Sequence, residues 1–150
     1  MTDRLEPDPV QRLRVMAAGI PGAHVTERVV PAPFDVVWGV MADLEGEFGS
    51  FQPDMKSVRV THRRDDRLEV LAHGHLGFRA RFDVVLRPGW CWMQSRFLLI
   101  GMAAVPAGDR TRVALTGGTR VPGRAAIVPI RVRHETERAM LRLAQRVAER

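Results

Sequence analysis

The hydrophobic pattern sets a middle of alternating positions between two stretches of helical spacing. Near the C-terminal end, Thr136, Met140, Leu143, Ala144 and Val147 recur at helical intervals, with Glu137, Leu141 and Ala148 at the edge of the stripe. Arg131, Arg138, Arg142, Arg146 and Glu149 take the other face, where charged groups keep their water. Pro129 suits a first turn, because the N–H it lacks would have no helical partner there. The pattern predicts one long helix over 129–150, with an apolar stripe that has to be covered.

The chain before it supplies the cover. A short helix is predicted over 7–18, with Asp8 as its cap, Pro9 in its first turn and Val10, Leu13, Val15 and Met16 as apolar positions. Gly19-Ile20-Pro21-Gly22 ends it. A first strand covers 24–31, and Pro31-Ala32-Pro33 turns it into a helix over 33–44. Phe34, Val37, Trp38 and Met41 form one face of that helix, and Trp38 is expected to be buried against the sheet. A further helical turn over 47–51 lies between Gly46 and Pro53.

Six strands follow at hairpin spacing: 55–63, 67–73, 78–87, 90–98, 102–105 and 111–120. The fourth of the seven alternates most clearly, with Phe78, Ala80, Phe82, Val84 and Leu86 on one side and Arg79, Arg81 and Asp83 on the other. Pro88-Gly89, Pro106 to Asp109 and Pro122-Gly123 mark turns, and Gly101 is the breaker between the fifth and sixth strands. Strands joined by short turns are antiparallel. The expected fold class is α+β, a curved antiparallel sheet of about seven strands wrapped around the long C-terminal helix. Residues 1–23 form a helical appendage, packed on the outside of the domain or on another subunit, and 24–150 form the domain itself.

Composition narrows the functional classes. One domain with one core suits 150 residues, 45% hydrophobic and 27% charged. No apolar run reaches the roughly 20 residues of a membrane span, so no integral membrane association is expected. The polar start of the chain is unlike a signal peptide, and Cys91, the only cysteine, rules out an internal disulfide; both fit a cytoplasmic protein. The net charge is +6, yet Lys56 is the only lysine among 23 basic residues. That bias points to genome base composition, and the arginines are scattered with few aromatics among them, so no nucleic-acid partner is expected. The stretch 110–133, with six arginines and no carboxylate, is the one segment suited to an anion or an acidic partner.

The order of elements, together with Val29-Val30-Pro31-Ala32-Pro33-Phe34 and then Val37-Trp38 and Asp43, resembles the START-like helix-grip superfamily. That superfamily includes birch-pollen-allergen proteins, lipid-transfer START domains and polyketide cyclases/dehydrases. The Pro88-Gly89 turn, the hairpin from Gly108 to Val113 and the last helix match it too, so the resemblance covers 24–150. It implies a cavity between sheet and helix that holds an apolar molecule, and in a minority of members the cyclisation or dehydration of a bound polyketide. The motif residues are structural, so the fold does not choose between these.

Candidate chemistry is sparse. There is no Gly-x-Ser-x-Gly, Gly-x-Gly-x-x-Gly, P-loop or HExxH motif. His73 and His75 share a strand face only if the strand runs on through Gly74, and no carboxylate or cysteine stands at a supporting metal-ligand spacing. His62 reads as an edge or core histidine, and His134 and Glu137 as a helical pair. Cys91 reads as a small buried residue rather than a nucleophile. The candidate ligand-binding set is Phe48, Phe51, His73, Phe82, Trp92, Gln94, Arg96, Met140 and Leu143. Gln94 and Arg96 serve as polar anchors if the Trp92 face of the fifth strand is inward, with Glu27 as a partner for the arginine; Met93, Ser95 and Phe97 form the other face. No metal and no cofactor is expected. The leading expectation is a monomeric or homodimeric protein that binds a small hydrophobic molecule. The alternatives are a cyclase/dehydrase-type enzyme using His73, His75 or Arg96, and an interaction module with a filled core.

Overall fold

Alternation decides which side of each strand meets the core, and a computed structural model shows where the two sides go. It describes residues 8–53, 55–77, 79–120, 127–128 and 132–150. Phe78, the Pro122-Gly123 turn and the helix start at Pro129 lie outside them. The elements are α1 (Pro9–Ala18), β1 (His24–Val30), α2 (Phe34–Met41), α3 (Phe48–Phe51), β2 (Met55–Arg64), β3 (Arg67–Gly74), β4 (Arg79–Arg87), β5 (Trp90–Gln94), β6 (Leu98–Ala107), β7 (Arg110–Arg120), β8 (Ile127–Val128) and α4 (Val132–Ala148). The strands form one antiparallel sheet in the order β1-β7-β6-β5-β4-β3-β2, and β8 adds a short pairing to β7. Consecutive hairpins build β2 to β7, and the pairing of β1 with β7, Glu27 opposite Ala114, joins the two ends of the chain. The result is an α+β fold with a curved sheet around a C-terminal helix.

The inner face carries the main core. Val58, Val70, Phe82, Val84, Met93, Met102, Val113 and Leu115 of the sheet meet Val37 and Met41 of α2, Phe48 and Phe51 of α3, and Met140, Leu143 and Val147 of α4. The α4 stripe is therefore buried as its spacing predicts, while Leu141 stays more than half exposed. Thr136 and Thr26 hydroxyls hydrogen-bond at 2.8 Å and tie α4 to β1. Trp38 departs from expectation: it is only partly buried, stacked on Phe34 with ring centroids 6.3 Å apart. The fully covered side of α2 is made by Val37, Val40 and Met41 instead.

The outer face is covered in part by α1. Val10 and Leu13 pack with Trp90, Ala103 and Ala114 in a second apolar cluster. Asp8 joins the two layers, since Oδ1 accepts the Gln11 N–H at 2.8 Å as the helix cap while Oδ2 pairs with Arg112 at 2.9 Å. Arg12 lies 4.7 Å over the Trp90 ring, and Arg14 pairs with Glu27. The helix α1 thus packs on the outer face of its own sheet.

The break between β5 and β6 falls at Ser95-Arg96-Phe97 and not at Gly101. The Ser95 hydroxyl accepts the Leu98 N–H at 2.8 Å and the Phe97 N–H at 3.2 Å, a side-chain turn that ends the ladder. Gly101 sits inside β6, opposite Trp92, where a Cβ would stand 2.8 Å from Leu13 Cδ1 and from Thr116 Cγ2. A strand glycine marks close approach as well as a break, and here it lets α1 lie on the sheet.

Candidate functional site

The sheet and α4 are packed solid along most of their contact. Phe48, Phe51, Phe82, Met93 and Leu143 are fully buried there, and Met140 is nearly so. Toward the start of α4 the helix and sheet part and leave an opening of about 90 Å³. Leu98, Ile100, Leu115 and Gly117 line its sheet side, Thr136 and Ala139 its helix side, and Gln52 and Met55 its end. Glu135 and Thr119 bring polar groups to the rim. Space exists here because Gly117, opposite Ile100 on the inward side of β7, carries no side chain to fill it.

The candidate residues divide between the two faces of the sheet. Phe82, Met140 and Leu143 belong to the inner core, with Phe48 and Phe51 of α3, and none of the five borders the opening. His73, Trp92, Gln94 and Arg96 lie on the outer face. The register decides this for β5: Met93 stands opposite Val84 and Cys91 opposite Leu86, so the Cys91 and Met93 side joins the core and the Trp92 and Gln94 side turns away. Trp92 stacks on Trp90 beneath α1, with centroids 6.1 Å apart. Gln94 and Arg96 are exposed, and the Arg96 guanidinium lies 5.5 Å from the Phe97 ring. Arg14, not Arg96, is the partner of Glu27. Neither polar anchor reaches the space between sheet and helix. For β3, Leu68, Val70 and Ala72 point inward and His73 outward.

The remaining titratable groups hold structural positions. The Cys91 thiol is pushed up to about 12 by burial, which keeps it protonated and unreactive near neutrality. His62 is exposed 3.6 Å from the Glu69 carboxylate. Glu137 pairs with Arg133 at 3.1 Å, so the expected pairing with His134 is replaced. No group of three or more metal-ligating side chains occurs among the described residues.

Sequence reasoning did not single out Glu47. This carboxylate is buried between α3 and the end of α4, where it pairs with Arg146 at 2.8 Å and Arg150 at 2.6 Å. The Arg146 hydrogen bond, then its charge and the bond and charge of Arg150, hold the carboxyl below its usual range against the opposing effect of burial. A group with a lowered folded-state pKa stabilises the fold above its unfolded value, and the contribution is lost as pH falls through the folded value. Glu47→Gln is therefore expected to lower the denaturant midpoint at pH 7 and to match the wild type only after pH has fallen through the lowered folded-state pKa of Glu47, beneath the ordinary carboxylate range. Urea titrations of both proteins at pH 7 and at progressively lower pH measure this; an equal gap throughout would show that the charge is not what holds α3 to α4.

With one helix gripped by a curved antiparallel sheet, the chain has the START-like helix-grip fold. Among solved structures it is similar to the Zhui aromatase/cyclase from a Streptomyces species, at 20% identity over 85% of this chain and 94% of that one, with a TM-score of 0.59. It is similar to a START superfamily protein from Mycobacterium smegmatis at 19% identity, over 85% and 97% of the two chains, with a TM-score of 0.59. Ara h 8.0201 aligns at 11% identity over 85% and 99%, with a TM-score of 0.55. No family model and no curated protein sequence matches the chain. No helix among the described residues is long and apolar enough to cross a membrane.

Proposed function

We propose that the protein binds a small hydrophobic molecule in the opening between the start of α4 and the β6–β7 strands. The observation that carries this reading is the place where the packing opens: Leu98, Ile100, Leu115 and Ala139 face a gap, whereas Phe82, Met93, Met140 and Leu143 are buried in the core. Apolar walls with a few polar groups at the rim are the usual composition of a small-molecule site. At about 90 Å³ the gap admits a small ring or the end of a chain, and a larger ligand enters only as α4 lifts from the sheet. The similarity to an aromatase/cyclase and to a START superfamily protein supports the reading at the level of fold.

Catalysis of the cyclase or dehydrase kind has less support. His73, His75 and Arg96, the residues that would serve it, belong to the outer face or its margin, across the sheet from the gap. The filled core keeps the interaction-module reading as the competitor.

The geometry also selects the test. Met140 and Leu143 are already packed, so enlarging either strains the core, whereas Ala139 borders the gap. An environment-sensitive apolar dye is expected to bind the wild type saturably and to lose affinity at least about tenfold in Ala139→Leu, with the unfolding midpoint preserved. If the wild type takes up no dye, the binding reading fails and an interaction module takes its place.

A further inference from the structure

We infer a second ligand site, on the outer face of the sheet at the corner where β2, β3 and β4 meet, that takes a phosphate monoester group. Three side chains form a row across three strands: Ser57 stands opposite His73, and His73 opposite Arg79. Directly opposed residues share a face, with Cβ atoms roughly 5 Å apart. A β-bulge between Met55 and Ser57 makes Lys56 the extra residue of β2 and leaves both Lys56 and Ser57 exposed. A short 3₁₀ turn, His75–Gly77, follows β3 and brings His75 to the same corner, with Gly77 in the left-handed region at φ 78°. Lys56, Ser57, His73, His75 and Arg79 line one open concavity of about 400 Å³, together with Gly74 and Gly77.

The charge around this hollow is unbalanced. No Asp or Glu lines it; Glu45 borders the adjoining groove, and its carboxylate faces the Val60 N–H at 3.4 Å. None of the five polar side chains hydrogen-bonds or pairs with another residue among those described. Some arginines elsewhere are matched, Arg81 with Glu69, Arg87 with Asp66 and Arg112 with Asp8, but what sets this corner apart is a basic and hydroxyl set gathered in one hollow. Lys56 on β2 and Arg79 on β4 stand on either side of β3, and an anion bound between them is attracted by both. A guanidinium fork, an ammonium, a hydroxyl and two imidazoles suit the terminal oxygens of a phosphate, which accept from several directions at once. The hollow lies across the sheet from the apolar gap, so this inference does not depend on the proposed function.

A free phosphometabolite and a lipid headgroup carry the same chemistry, and the experiment separates them. The His73 and His75 imidazole resonances of the full chain are followed at fixed pH and ionic strength while inorganic phosphate, then glycerol 3-phosphate, is added. In parallel, the protein is sedimented with phosphatidylcholine vesicles with or without phosphatidic acid, and with phosphatidylserine as a charge-matched control. The expected result is a saturable shift, or sedimentation selective for phosphatidic acid, weakened at least about tenfold by Arg79→Gln and by Lys56→Gln. Arg67→Gln, further along the same face, is expected to stay within about twofold of wild type. Saturation by glycerol 3-phosphate without vesicle binding identifies a soluble ligand; selective vesicle binding identifies a headgroup. Non-saturating shifts without vesicle binding, or an equal loss in Arg67→Gln, would overturn the site and leave a diffuse basic surface. All three substitutions are at exposed positions, and their urea midpoints verify that folding is intact.

Discussion

Phe51→Ala is expected to destabilise the protein by about 3–5 kcal/mol, the range for removing a fully buried aromatic ring. Phe51 is completely buried, and its ring meets that of Phe48 edge-on at 5.5 Å. A helix as short as Phe48–Phe51 has no stability of its own, because nucleation outweighs so few hydrogen bonds. What keeps α3 in place is tertiary: two phenyl rings in the core and Glu47 holding Arg146 and Arg150. Removing one ring leaves a cavity under the end of α4 and takes away the edge contact of the other. Urea unfolding, with an unchanged m-value, gives the number. Phe97→Ala is the control, since that ring is 44% exposed and its loss should fall within about 0.5 kcal/mol. A similar small change at Phe51 would mean that α3 is not part of the cooperative core.

Leu13→Ala is expected to cost about 2–5 kcal/mol if α1 unfolds together with the sheet, and less if α1 lifts away first. Leu13 is fully buried among Trp90, Ala103 and Ala114, and its methyl group touches the position where Gly101 has no side chain. A ten-residue helix is marginal alone, so its helicity depends on this contact. Amide hydrogen exchange separates the two outcomes. Protection lost over 9–18 alone shows a locally detachable layer, and protection lost throughout shows a single cooperative unit. In either case Gly101→Val should reproduce the effect from the sheet side by occupying the space of Leu13. If neither substitution changes stability or exchange, α1 does not contribute to the fold.

The fold was legible because most strands bury one face and alternate accordingly, β4 most plainly. Legibility failed where that condition failed. In β5, Trp90-Cys91-Trp92-Met93 has large or apolar residues on both sides, because α1 covers the outer face while the core takes the inner one. Periodicity cannot choose between two buried faces, and the Trp92, Gln94 and Arg96 side is the outward one. The same double burial disguised Gly101 as a break. The gap at α4 was hidden for another reason. It is bordered by small residues, Gly117 and Ala139, whose lack of bulk leaves no hydrophobic signal, whereas the large residues Phe48, Phe51, Phe82, Met140 and Leu143 fill the core.

The helix on the outer face also bears on how the chain reaches its folded state. Val10 and Leu13 are synthesised early, but the surface that receives them, from Trp90 to Ala114, comes up to about a hundred residues later. The closing pair of the sheet, β1 with β7, spans a similar separation. Such distant contacts fold slowly, since the loop between the partners must close before they gain anything. In the interval, Trp90, Trp92 and Ala103 present an apolar outer surface with nothing over it, the kind that drives association between incomplete chains. Refolding yield should accordingly fall with protein concentration, and more steeply for Leu13→Ala, in which the surface stays uncovered for longer.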